Sequence, residues 1–139
     1  MINYILFDAA DKKVRLRSSK DANQFWLTAL KTLLVPKRAQ HLMEMHGASH
    51  VTDIYRSLVE TYGEDRILTI FNGSDYIMVF PADPKLASTQ NNVIGLWVGQ
   101  HSEAGSVIIV GGTADKVKSL DEQDEDFILQ RFKAGKIHF

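Results

Sequence analysis

The 139-residue chain contains no cysteine. Disulfides, thiolate nucleophiles, iron–sulfur clusters and cysteine zinc sites are thereby excluded together. A surplus of one charge is also missing, since 16 Lys and Arg oppose 17 Asp and Glu for a formal charge of −1. Domains that hold nucleic acid electrostatically usually carry a large basic excess, so the composition disfavours that class. Apolar runs such as residues 107–110 fall far short of the ~20 residues that span a bilayer, and no membrane association is expected. A secretory signal places basic residues before its apolar run, whereas here Ile2, Tyr4, Ile5, Leu6 and Phe7 precede Asp8, Asp11, Lys12 and Lys13. The expectation is a soluble cytoplasmic protein. Neither GxGxxG nor GxxxxGK[ST] occurs, and there is no HExxH helix, DxDxDG loop or nucleophile elbow. No cofactor is expected, and no motif names an activity or a family.

What is present is an average globular composition, 45% hydrophobic and 24% charged. The length suits one domain, 1–139, with no linker or repeat dividing it. Residues 1–7 are rich in Ile, Tyr and Phe and read as a strand, with a turn at 8–11. Lys13, Val14, Arg15, Leu16 and Arg17 then alternate, which would bury Val14 and Leu16 and expose three cations. Ser19 or Asp21 can cap a helix in which Ala22, Phe25, Trp26, Ala29, Leu30, Leu33 and Leu34 share one side. Pro36 stops that helix and can open a second, through Leu42, Met43 and Met45 to Gly47. A third would carry Val51, Ile54, Tyr55, Leu58, Val59 and Tyr62 and end at Gly63.

Period two then returns. Strands at 66–71 and 76–80 flank Asn72-Gly73, a hairpin signal because both residues tolerate positive φ. Further strands are expected at 93–98 and 106–110, separated by a turn at 101–105. Ser119-Leu120-Asp121-Glu122 fits a capping box opening a helix through Phe127, Ile128, Leu129 and Phe132 to Gly135. The order of hairpin, three consecutive helices, four-strand meander and C-terminal helix predicts an α+β fold with a mainly antiparallel sheet. Its helices should gather on one face or at one end, and the sheet reaches six strands if the opening hairpin joins the meander.

Candidate functional residues fall into four groups. His41, Glu44, His46 and His50 form the densest set of metal-ligating side chains, as imidazoles and a carboxylate combine in Zn and Fe(II) sites. Their spacing does not put them on one helix face, and a histidine capping a helix C-terminus serves equally well. Gly111, Gly112 and Thr113 follow a strand; if a helix began after them, freed amides could hold a phosphate, the alternative being a glycine turn leaving the sheet. Lys13, Arg15 and Arg17 make a basic strand face, within a first fifty residues holding eight basic and four acidic side chains. Such a face could track phosphates, but no aromatic is interleaved for base stacking, and edge strands use charge to prevent pairing. Asp121, Glu122, Asp124, Glu125 and Asp126 are five acids in six positions, more than a helix N-terminus needs. The letters of an acyl-transfer site in His101-Ser102-Glu103 are neighbours in one turn and cannot adopt triad geometry. Trp97, between Gly95 and Gly99, suggests close approach of another backbone or a ligand, or core packing.

The sequence therefore points to a non-catalytic interaction or regulatory module that binds a protein partner or itself as a homodimer. Its acidic and basic blocks would face one another within the chain or across an interface. The rival expectations are a metal-dependent or small-molecule enzyme or sensor built on the histidines, and a nucleic-acid binder using the basic half.

Overall fold

The computed structural model describes residues 1–37, 39–41, 68–72, 75–96 and 104–139, with backbone alone at 69–72. The fold is α+β with a mostly antiparallel sheet. Its elements are β1 (Ile2–Asp8), β2 (Lys13–Ser19), α1 (Ala22–Leu33), β3 (Leu68–Asn72), β4 (Tyr76–Pro81), a single 3-10 turn (Pro84–Leu86), β5 (Val107–Gly112), β6 (Val117–Lys118) and α2 (Glu122–Lys133).

The main path of the six-stranded sheet runs β2-β1-β5-β4-β3, and β6 pairs with the end of β5. The opening hairpin does join the later strands, through β1 and β5, with Tyr4 opposite Val110 and Phe7 opposite Val107. The expected meander is corrected here. Residues 93–96 contribute no strand to the sheet, and β4 pairs directly with β5, setting Val79 opposite Ile108. Asn92 and Ile94 instead make isolated bridges to Ala104 and His138. Gly95 turns the chain there at a φ of 91°, and a β-carbon on it would collide with the carbonyl oxygen of Lys136. The backbone approach suggested by this glycine is thus that of the C-terminal segment. Residues 97–103, with Trp97, Gly99 and the His101-Ser102-Glu103 turn, lie outside the described residues.

Both faces of the sheet are buried, and α1 and α2 pack on opposite ones, which corrects the expectation that the helices gather on one face or at one end. Tyr4 and Leu6 of β1, Ile77 and Val79 of β4, and Ile108 and Val110 of β5 pack with Phe25, Trp26, Ala29, Leu30 and Leu33 of α1. The alternate residues Ile5, Phe7, Met78, Phe80, Val107 and Ile109 pack with Ile128 of α2 and Ile137 of the C-terminal segment. Side chains alternate across a strand, so a strand covered on both sides must be apolar at every position. The unbroken runs at residues 4–7, 77–80 and 107–110 meet that demand. Strand β2 has covering on neither side comparable to β1: Leu16 is 59% exposed, against the expectation that it is buried, and Val14 is only partly buried. Alternation assigned Leu16 to a face correctly, but at the rim that face is open.

The helix ends follow local chemistry. Asp21 caps α1, its carboxylate accepting a 2.8 Å hydrogen bond from the Gln24 amide. The Gln24 side chain accepts in return from the Lys20 amide at 3.1 Å. Ser19, the other candidate cap, ends β2 and is buried. Beyond α1, Pro36, Lys37 and residues 39–41 are helical; the rest of the second expected helix and all of the third lie outside the described residues. Helix α2 is capped by Asp121, not by Ser119 as the capping box implied. Ser119 Oγ instead accepts from the Asn3 amide at 2.9 Å and donates to the Met1 carbonyl, holding the chain against β1. At the other end, the Gly135 amide donates to Phe132 O and the Lys136 amide to Arg131 O, so α2 closes in a Schellman motif.

Candidate functional site

The basic strand face divides on inspection of its partners. Arg15 lies between two carboxylates, donating from Nε to Asp8 at 3.0 Å and from Nη2 to Asp11 at 2.7 Å. These hydrogen bonds, first to Asp8 and then to Asp11, raise the guanidinium pKa further above its ordinary value. Arg15 is therefore committed within the hairpin. Arg17 makes no ion pair or side-chain hydrogen bond among the described residues. Lys13 is exposed opposite Asp8. In register Lys13, Arg15 and Arg17 stand opposite Asp8, Leu6 and Tyr4, so all three cations belong to the α1 side of the sheet.

The acidic block lies on the other side, at the N-terminus of α2. Glu122, Asp124 and Glu125 occupy its first turn, where the helix dipole favours negative charge, and Asp126 follows. Desolvation, then the charges of Asp121 and Asp75, push the Asp124 carboxyl above its ordinary pKa. The ion pairs among the described residues both involve Arg15, and neither reaches these acids. The two blocks are separated by the sheet.

The Gly111-Gly112-Thr113 segment lies on a hairpin. Gly111 and Gly112 end β5, and no helix begins directly after them. Thr113 and Lys116 exchange backbone hydrogen bonds of 3.2 and 3.1 Å around Ala114-Asp115, which returns the chain as β6. The Gly112 amide donates to Asp75 O, leaving that donor engaged. Glycine is required at 111 and 112 by the returning backbone: a β-carbon on Gly111 would meet Ser119 O, and Gly112 has a φ of 82°. Of the histidine group, His41 is exposed on the short helical stretch, while Glu44, His46 and His50 lie outside the described residues. Among the described residues no three His, Asp or Glu side chains converge on a metal-sized site.

One concave feature was not anticipated. A groove of about 350 Å³ lies between α1 and the β1–β2 edge. Its floor is apolar, formed by Tyr4, Leu6 and Ile108. Gln24, Thr28 and Thr32 line one wall, spaced four apart along α1, and Arg17 and Ser18 line the opposite side. The signal was available: a period-four polar stripe borders the apolar stripe of α1, and threonine is a mediocre helix former. Its meaning depended on the placement of β2, which alternation alone does not provide.

Comparison with protein-family models, with curated proteins and with solved structures finds no match to the chain. No helix among the described residues is long and apolar enough to cross a membrane.

Proposed function

We propose that the chain is a non-catalytic interaction module that associates with a second copy of itself through its oppositely charged blocks. The observation that carries this reading is the position of those blocks on opposite sides of the sheet. The acids of α2, Asp121 to Asp126, find no cation of their own chain among the described residues, and Arg17 finds no acid. Charges left without a partner among the described residues can serve a neighbour, where complementarity steers encounter and fixes register. Because the two patches lie on opposite sides of the sheet, such contact is heterologous, and it closes into a ring or continues as a filament according to the rotation between copies. In this reading 1–139 acts as one cytoplasmic domain.

Reciprocal charge reversal tests it. Glu125→Lys with Asp126→Lys should abolish self-association, as should Lys13→Glu with Arg17→Glu. An equimolar mixture of the two double variants should associate again, because the reversed helix start of one meets the reversed strand of the other. Wild-type protein that associates regardless of either pair, or reversed chains that fail to recover on mixing, would overturn the proposal. Circular dichroism of each variant establishes that the fold survives.

A further inference from the structure

We infer that the groove between α1 and the β1–β2 edge binds a small organic carboxylate, with its apolar body on the Tyr4–Leu6–Ile108 floor and its anion at Arg17. This site goes beyond the association reading but shares Arg17 with it, so a bound carboxylate and the acids of a second copy would compete for that side chain. The volume of about 350 Å³ lies within the range of small-ligand sites, ~300–1,000 Å³. The groove's base is apolar, but its rim is polar throughout, with Asp8, Ser18, Ser19, Gln24, Thr28 and Thr32 beside Arg17. Tyr4, Leu6 and Ile108 are themselves held by the core beneath α1, so the floor is pre-formed. Tyr4 packs edge-on against Phe25 with ring centroids 5.2 Å apart, which fixes its ring.

Charge selects the occupant. Asp8 also borders the groove, but Arg15 holds it at 3.0 Å and Lys13 stands opposite it in register. Arg17, directly across from Tyr4, has no such partner among the described residues. The groove therefore has a neutralised end and a cationic end. A planar guanidinium matches a carboxylate in a two-pronged hydrogen bond, which gives an anion both energy and orientation. The hydroxyls of Thr28 and Thr32, likewise without side-chain hydrogen bonds among the described residues, supply further donors along the α1 wall.

The test is a titration of isotope-labelled full-length protein, followed by amide resonances, with 2-naphthoate and with its uncharged counterpart 2-naphthamide. Saturable shifts are expected at Tyr4, Leu6, Thr28 and Ile108 with the carboxylate, and the amide should bind about tenfold more weakly or worse, as befits one charge-assisted hydrogen bond. Arg17→Gln should remove the preference for the anion while leaving the rest of the spectrum unchanged. Thr28→Met, which fills the groove without altering a charge, should weaken both probes and leave self-association intact, so that this site and the charged interface fail separately. Resonances of the floor that do not move at millimolar 2-naphthoate would overturn the inference. Equal binding of acid and amide, or a carboxylate preference surviving Arg17→Gln, would do the same.

Discussion

The two faces of the sheet are built from the same strands and finished differently. On the α2 side, Phe7 meets Phe132 and Phe139 at centroid distances of 6.1 and 6.4 Å, and the C-terminal segment with Ile137 seals the remaining width. On the α1 side, Phe25 touches Tyr4 and Trp26 at 5.2 and 5.1 Å, but a groove stays open toward β2. A helix is ~10–12 Å across and strands lie ~4.8 Å apart, so one helix covers only two or three strands. The α2 face fills its deficit with a tail. Beside α1, the rim near β2 is open and polar among the described residues, and it carries Arg17, which has no ion pair among them.

The largest effects should come from the centres of the two faces. Phe7→Ala and Phe25→Ala each remove a fully buried ring and should cost about 3–5 kcal/mol in denaturant unfolding. Similar losses would show that both layers belong to one cooperative unit; a separate early transition in either variant would break that equivalence. Gly95→Ala strikes the seal of the α2 face. Its positive φ and the adjacent Lys136 carbonyl should make the change cost about 1–3 kcal/mol, read from the same unfolding curves, and free the C-terminal segment to proteolysis.

Smaller effects sharpen the contrast at the rim. Thr32→Val changes the groove wall and should shift stability by no more than ~0.5 kcal/mol, whereas a loss as large as that of Phe25→Ala would mark the wall as core. Smallest is Asp124→Asn. A carboxylate whose folded pKa is raised above its unfolded value makes folding less favourable as pH climbs through that interval. The asparagine variant should therefore melt slightly higher than wild type at neutral pH, and the gain should disappear as pH falls below the ordinary aspartate range.

The sequence was most legible where a local interaction decides the outcome. Asp21 as a helix cap, Gly135 as a helix end and the opening hairpin all depend on neighbours a few residues away. Strand identity was legible at 1–7 and 106–110, observed as Ile2–Asp8 and Val107–Gly112, but strand order was not, because inserting β1 between β2 and β5 is a long-range choice that no turn residue announces. Two buried faces were foreshadowed by Tyr4-Ile5-Leu6-Phe7, whose unbroken apolarity differs from the alternation of Lys13 to Arg17. The site was less legible than the fold. Arg15 and Arg17 look alike in sequence, and only the hairpin geometry that sets Asp8 and Asp11 against Arg15 distinguishes the committed cation from the one without an ion pair among the described residues. Ser119 misled for a related reason: its spacing from Glu122 suits a cap, but tertiary contact with Asn3 and Met1 takes its hydroxyl first.

Sedimentation velocity of the wild-type chain at low and high salt tests the central claim most directly. Screening shortens from ~30 Å at 0.01 M to ~3 Å at 1 M salt, so association between separate charged patches should be seen in dilute buffer and lost at the high concentration. The account expects a self-associated species at low salt that becomes monomeric at high salt. A monomer under both conditions, or an assembly indifferent to salt, would contradict it.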